Sequence, residues 1–268
     1  MPKPQLHWSH LNMLLRCGAQ YAFRYIDGLK RPPAVAMLIG SATHKGVEHN
    51  MLAKRDGIEC RAEDVSEVTA EEVESRWRAD GVALDQEEKS QGEASVRGEA
   101  KDSAVALALL HYRELAPSIT PVHVERKWVI ATPDTMTMDL SGTIDLQEAN
   151  ILHDTKTAKR SPPAGAADGS DQLTLYAIAC LKLDGRIPEL QIDSLVKTKT
   201  PKAVIQKTVR TEDDMNVFLR RVAVVQRSIQ SGIFLPAPAD SWICSEKFCG
   251  FTGVCTYFRK RVAVSTAE

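Results

Sequence analysis

The chain has 268 residues, 43% hydrophobic and 26% charged, with 34 basic against 35 acidic side chains and a formal net charge of −1 at pH 7. That length buries one sizeable core, or one core with an insertion, and the composition is that of a soluble globular protein. No apolar run approaches a membrane span, and the balanced charge excludes a global basic field, so any contact with nucleic acid has to come from local patches.

Residues 6 to 27 are predicted to form a helix, followed by a proline-bearing loop at Arg31-Pro32-Pro33. Met1-Pro2-Lys3-Pro4-Gln5 leads into no apolar segment of the kind that heads secreted chains, so a reducing cytoplasm is expected. A second helix is predicted over residues 41 to 54, opening at Gly40-Ser41-Ala42-Thr43-His44. Gly40 there allows close backbone approach and Ser41 can cap the helix start. His44 then falls in the first turns, where a neutral imidazole can complete a metal shell supplied with carboxylates. His49 competes with it, and a buried structural histidine is the plainer fate of a lone one. Residues 63 to 115 are rich in Glu, Ala, Lys and Arg, lack proline, and read as mostly helical, with Gly81, Gly92 and Gly98 as breaks. The helical insertion is drawn over 55–117.

Val122 to Ile130 reads as a strand containing Glu125, a candidate for an outer position around a metal. Met136 to Gln147 and Ile151 to Ala158 are β-rich runs separated by the turn-like Glu148-Ala149-Asn150. Side chains alternate faces along a strand, so Asp154 and Lys156 of Asp154-Thr155-Lys156 project the same way. Asp145, closing Gly142-Thr143-Ile144-Asp145, can meet them from the neighbouring strand. Two carboxylates can hold a hard divalent cation, and a lysine beside them can orient or deprotonate a water, which is chemistry for cleaving a phosphodiester. Asp-Thr-Lys taken alone is usually solvated strand polarity.

A loop at Ser161-Pro162-Pro163-Ala164-Gly165 leads to a helix opened by Gln172-Leu173-Thr174-Leu175-Tyr176. Gln172 and Tyr176 share one helix face, from which they can reach Lys156 or a DNA phosphate. An amphipathic core helix with solvated polar residues is the plainer reading. Strands are predicted at Ile192 to Thr198 and Ala203 to Val209, around Thr200-Pro201, and a long helix at Glu212 to Gln230 with Thr211 as its cap. Local basic patches are Lys197-x-Lys199-x-x-Lys202 with Arg210, Lys156-x-x-Lys159-Arg160, and Arg259-Lys260-Arg261. A solvated surface also accounts for each, and is preferred for the last.

Six cysteines occur, and three crowd together as Cys244-x4-Cys249-x5-Cys255 after Pro236 and Pro238, with Cys17 far upstream. In a reducing compartment, clustered cysteines bind metal more often than they pair. Three thiolates need a fourth ligand for an iron–sulfur cube or a tetrahedral zinc, and Cys17 can supply it, joining the two ends of the chain. Cys60 and Cys180 lie outside this arrangement; Cys180 continues an apolar helix, where a buried free thiol is ordinary.

Taken in order, these motifs resemble those of the PD-(D/E)XK nuclease superfamily, specifically the RecB-like branch of the AddB nuclease-domain and CRISPR-associated iron–sulfur exonuclease type. Trp8-Ser9-His10-Leu11 through Cys17-Gly18-Ala19-Gln20-Tyr21-Ala22-Phe23-Arg24-Tyr25 is similar to that branch's N-terminal Ser-x-Leu…Cys-Pro…Tyr…Arg-Tyr stretch. Gly40 to His44 resembles its Gly-x-x-x-His motif, Asp145 its Gly-x-x-Asp acid, Asp154-Thr155-Lys156 its (Asp/Glu)-x-Lys signature, and Gln172 to Tyr176 its Gln-x-x-x-Tyr. The resemblance spans nearly the whole chain. It implies a single nuclease domain over 1–268: a mixed central β-sheet flanked by helices on a restriction-endonuclease-like core, an α/β fold with a helical insertion and a C-terminal cysteine loop.

It further implies Mg²⁺ or Mn²⁺ held by His44, Asp145, Asp154 and the Thr155 carbonyl, with Lys156 acting on water and Gln172 and Tyr176 orienting Lys156 or the strand. A 4Fe-4S cluster, or alternatively zinc, is implied at Cys17, Cys244, Cys249 and Cys255, with the segment 236–261 pairing with Cys17. The expected activity is a metal-dependent DNA exonuclease acting on single strands or free ends. Its expected setting is recombination, repair, phage replication or CRISPR adaptation, with protein partners to match and no membrane. The alternatives are a DNA-binding or assembly module that keeps the fold, and a protein whose cysteine centre is itself the redox or metal-sensing group. Two departures stand out: Gly18 replaces a proline common after the first cysteine, and four residues separate Cys244 from Cys249 where the family usually has two.

Overall fold

The computed structural model describes residues 3–258 and centres on a six-stranded mixed sheet. Strands β1 (Gln5–His7), β2 (His123–Ile130), β3 (Asp139–Gln147), β4 (Ile151–Ala158), β5 (Glu189–Val196) and β6 (Lys202–Thr208) run in the order β1-β3-β4-β5-β6, with β2 also paired to β3. The β1–β3 and β4–β5 pairs are parallel and the others antiparallel. Helix α7 (Asp171–Asp184) makes the crossover that the parallel β4–β5 pair requires.

β3 carries an unusual load. Leu140 pairs with Ile130 on one edge and Leu6 on the other, while Leu146 pairs with Val124 and His153. β1 and β4 therefore share the edge opposite β2. β4 joins it only at Leu146–His153 and Gln147–Leu152, so residues 142–145 face a gap between the two partners. Gly142 is needed on the β2 side, because a Cβ there would come within 2.7 Å of the Trp128 ring across the strand pair.

Helices cover both faces. α1 (Trp8–Arg16), α7 and α8 (Glu212–Gln230) close a core around Leu11, Ile144, Leu152, Leu175, Leu190, Phe218 and Val222. On the other face α3 (Val35–Arg55), α4 (Ala62–Asp80) and α6 (Glu93–Leu110) form a helical layer packed on Val124, Leu146 and Leu195. The predicted insertion contributes α4, the short α5 (Gln86–Gln91) and α6. Gly46 lets α4 lie directly on α3: a Cβ there would meet Thr69 Oγ1 at 2.1 Å. No helix among the described residues is long and apolar enough to cross a membrane.

Several boundaries differ from the sequence reading. The predicted helix over 6–27 is split into β1, α1, α2 (Gly18–Tyr21) and a π turn at Ala22–Ile26. Leu6 is claimed by pairing with Leu140, and Cys17 is extended (φ −162°, ψ 106°). The second helix begins at Val35, so Ser41 is not a cap and His44 lies in mid-helix; Val35, Leu38, Ile39 and Ala42 extend the apolar stripe backwards into the core. Gly40, inside that helix, faces Thr157 Oγ1 of β4, 3.2 Å from where a Cβ would stand. Gly81 (φ 64°) and Gly92 (φ 90°) end helices, whereas Gly98 sits within α6. β3 starts three residues later than predicted because Gln226 of α8 takes the N–H groups of Thr137 and Met138. β5 starts three earlier, at Glu189 paired with Ile151. Thr211 caps α8 as predicted, accepting from the Asp214 N–H.

A buried polar network links β4 and β5. His153 Nδ1 lies 2.7 Å from Asp193 Oδ2 and its Nε2 3.0 Å from Glu148 Oε1, while Gln191 Nε2 donates to Asp193 Oδ1 at 2.6 Å. Burial alone would lower the His153 pKa, but hydrogen bonds and charge from Asp193 and Glu148 outweigh it and raise it.

Candidate active site

The antiparallel β3–β4 ladder stops where the acidic residues begin. Past Leu146 and His153 the strands part, and Asp145 Oδ2 accepts the Thr155 N–H at 3.1 Å, standing in for a missing main-chain acceptor. Asp154 is fully buried; its Oδ1 accepts from Lys156 Nζ at 3.0 Å and its Oδ2 has no partner. Lys156 donates a second bond to Gln172 Oε1 at 2.9 Å, Gln172 Nε2 donates to Tyr176 Oη at 2.7 Å, and the Tyr176 hydroxyl donates to the Thr143 carbonyl at 2.8 Å. This chain of bonds starts at the lysine and ends on the unpaired stretch of β3. Burial, with Asp145 and Asp154 nearby, pushes the Tyr176 pKa well up, so the phenol keeps the proton it donates.

From the helical face His44 brings Nδ1 to 3.5 Å from Asp145 Oδ2. Burial and the Lys156 charge lower its pKa, against Asp154 and the Thr155 backbone, so the imidazole is neutral and the contact is not an ion pair. Glu125 completes the group: one ligand atom each from His44, Glu125 and Asp145 lies within 4.8 Å of the others. Its φ is +50°, the one positive value at a non-glycine among the described residues, and β2 pairs with β3 on either side of it but not at Glu125. Backbone held there costs on the order of 1–3 kcal/mol. The turn aims the carboxylate at Asp145.

These carboxylates repel. Burial, then the charges of Asp145 and Glu48, raise Glu125 to about 7 against Lys45 and Lys127. Burial likewise raises Asp145 and Asp154, with Lys156 opposing. Like charges crowded with a neutral imidazole, beside a buried carboxylate oxygen lacking a partner, fit a hard divalent cation. The expected metal set gains a member: His44 and Asp145 converge with Glu125, while Asp154, tied to Lys156 through Oδ1, stands beside that 4.8 Å group with its Oδ2 free. Nothing in the sequence marks the positive φ that promotes Glu125. His49 lies elsewhere, near Asp64 of α4, whose pKa is lowered first of all by hydrogen bonds from Arg61 and least by His49. The site opens into a cleft of about 480 Å³, whose lining includes Ser41, His44, Glu125, Asp145 and Lys156.

Among the basic patches, Arg210 is corrected: its guanidinium is buried, bonded to Thr174, Ala167, Ser170 and Thr208, and fixes the loop before α7. Lys159, Arg160, Lys197, Lys199 and Lys202 are exposed, and Arg259-Lys260-Arg261 lies outside the described residues.

Cys17, Cys244, Cys249 and Cys255 line one small cavity away from this cleft. Main-chain bonds hold it: Gly18 N–H donates to the Leu235 carbonyl at 2.6 Å and Ala237 N–H to Cys17 Sγ at 3.3 Å, while Gln20 Nε2 donates to the Cys249 carbonyl at 3.0 Å. A proline at 18 could not make the first bond, and a Cβ there would fall 2.7 Å from Leu235 N. Burial raises Cys244 and Cys249, and the neighbouring thiols raise them further. No three of these sulfurs come within 4.8 Å of one another. That is wider than the roughly 3.8 Å edge of a tetrahedron with metal–sulfur bonds of about 2.3 Å. Cys60 lies in the loop before α4, and Cys180 is buried in α7, where burial first of all lifts its pKa to about 11.

Comparison with known proteins places this geometry. A family model for the PD-(D/E)XK nuclease superfamily matches residues 5–256. Among solved structures, a protein from Eubacterium rectale named "Putative exonuclease" is similar over 97% of this chain and 91% of its own, with a TM-score of 0.57 and 12% identity, a likeness of fold alone. No curated protein matches the chain.

Proposed function

Because the chain belongs to the PD-(D/E)XK nuclease superfamily and is read as a nuclease on that ground, we propose that it is a metal-dependent deoxyribonuclease working as an exonuclease on single strands or free ends. The observation that carries this reading is the alignment of Lys156 between Asp154 and Gln172, beside the group formed by His44, Glu125 and Asp145. His44, Glu125, Asp145 and the free oxygen of Asp154 would hold Mg²⁺ or Mn²⁺, with the Thr155 carbonyl within reach of the same group. Such an ion supplies Lewis-acid polarisation of the phosphate and a water of lowered pKa.

The protein's own part is positional. Asp154 holds Lys156 toward the cleft, where the ammonium can orient the attacking water and offset negative charge as it develops. Gln172 Oε1 accepts a hydrogen bond from the ammonium and is itself held by Tyr176, which fixes the direction of the half-exposed lysine. Neutral His44 offers a lone pair rather than a proton. Cys17, Cys244, Cys249 and Cys255 would hold a structural metal centre, a 4Fe-4S cluster with zinc as the alternative. Recombination, repair, phage replication or CRISPR adaptation would be the setting.

The test is hydrolysis of end-labelled single- and double-stranded DNA with Mg²⁺ or Mn²⁺. Stepwise shortening of a labelled strand, abolished by EDTA and by Asp145→Asn, is expected. Undiminished cutting in EDTA would remove the site, and binding without any cutting would favour the assembly-module reading.

A further inference from the structure

Two cations in the cleft have no part in the chemistry above. Lys45 of α3 and Arg76 of α4 both line it, each paired along its own helix, Lys45 with Glu48 at 3.0 Å and Arg76 with Glu72. Arg76 comes from the insertion, and its place follows from packing. Thr69 is the α4 residue that fits against Gly46, and Glu72 and Arg76 lie three and seven residues further along the same helical face. The close crossing at Gly46 therefore sets Arg76 in the wall opposite Asp145 and Lys156.

An i,i+4 pair on a solvated surface needs no function. This one lies in a cleft crowded with Glu48, Glu72, Glu125 and Asp145, which would repel a polyanion unless cations met its phosphates beyond the scissile one. Arg76 is half-exposed, so exchanging Glu72 for a phosphate costs little desolvation, and its fork suits phosphate oxygens. The cleft's volume lies in the small-molecule range of roughly 300–1,000 Å³, room for a nucleotide and far short of a duplex.

We propose that Arg76 is a strand-positioning residue that grips a non-scissile phosphate of single-stranded nucleic acid lying between the insertion and the β3–β4 hairpin, with Glu72 as the partner it gives up. This depends on the nuclease reading above. The test measures binding of a labelled single-stranded oligothymidylate in Mg²⁺ as a function of salt, using the full chain in a Lys156→Ala background so that the strand survives. Adding Arg76→Ala should weaken binding roughly three- to tenfold and reduce the slope of log Kd against log salt by about 0.7, one phosphate contact on a single strand. Arg76→Lys should restore most of the slope, Glu72→Gln should leave it intact with equal or tighter binding, and Arg113→Ala, on the exposed end of the insertion, should change neither. Equal melting temperatures separate these effects from misfolding. An unchanged slope in Arg76→Ala with the strand intact, or a preference for duplex, overturns the proposal while leaving the nuclease reading in place. Cutting at the parental rate in the Lys156→Ala background would instead overturn the site reading on which the proposal depends.

Discussion

His44, Glu125 and Asp145 reach one another from a helix and two paired strands, each anchored in a filled core, whereas the four clustered cysteines are carried by a helix break and a C-terminal loop. The first centre is positioned by packed strands and a helix, at an electrostatic cost: its two carboxylates, Glu125 and Asp145, are pushed toward protonation first of all by burial. The second strains nothing comparable and has little around it to hold its shape, since its own buried apolar cluster is Cys17, Ala19, Ala237 and Ile243. A metal-type centre built on a rigid sheet can be emptied without unfolding the sheet. One built on loops supplies the stability of the loops. On the reading proposed above, the first centre would serve function and the second stability.

The comparison predicts opposite responses to substitution. Cys17→Ala should lower the melting temperature by roughly 10–20 °C, since several kcal/mol of structural-metal folding free energy would be lost, while Cys60→Ala stays close to the parent. Scanning calorimetry with iron, sulfide and zinc analysis checks this. A well-folded, metal-free Cys17→Ala chain would erase the distinction between the centres. Lys156→Ala should do the reverse: a fall in cleavage rate of about 10²–10³-fold, or some 3–4 kcal/mol in the barrier, with melting within a degree or two of the parent.

A smaller effect concerns pH. With divalent ions removed, Glu125 titrates at about 7 folded against 4.5 for an ordinary glutamate. A raised folded pKa means the folded state binds the proton more tightly, so this contribution is complete below about 4.5 and is lost as pH rises through about 7. Metal-free protein should therefore melt lower at pH 8 than at pH 5.5 by a margin that Glu125→Gln reduces. Mn²⁺ should stabilise the parent chiefly at the higher pH, where its ligands are deprotonated. Thermal shifts across a pH series with and without Mn²⁺ would show it.

What the sequence made legible followed from short-range periodicity. Asp154 and Lys156 share a face because strands have period two, Gln172 and Tyr176 because helices bring i and i+4 together, and Thr211 with Asp214 is a local cap. What it concealed was settled by distant partners. Three residues at Gln5–His7 become a strand only because β3 has a free edge for them. The break at Cys17 answers to Leu235 and Ala237, more than 200 residues away. Glu125 sat in plain view, yet its inward turn needs a positive φ that no side-chain pattern encodes.

The network around His153 bears on how the chain finds this arrangement at all. β4 alternates Asp154 and Lys156 with His153 and Thr155, so sliding it by one position against β5 would exchange its two faces wholesale. Hydrophobic content alone polices such a slip poorly here, because β4 holds few apolar side chains. The imidazole supplies the missing check. A displaced β4 would leave Asp193, which is fully buried, without its hydrogen bond to His153, at a cost of about 1–3 kcal/mol. His153 thus penalises misregistered pairing of the strand that carries the lysine with β5.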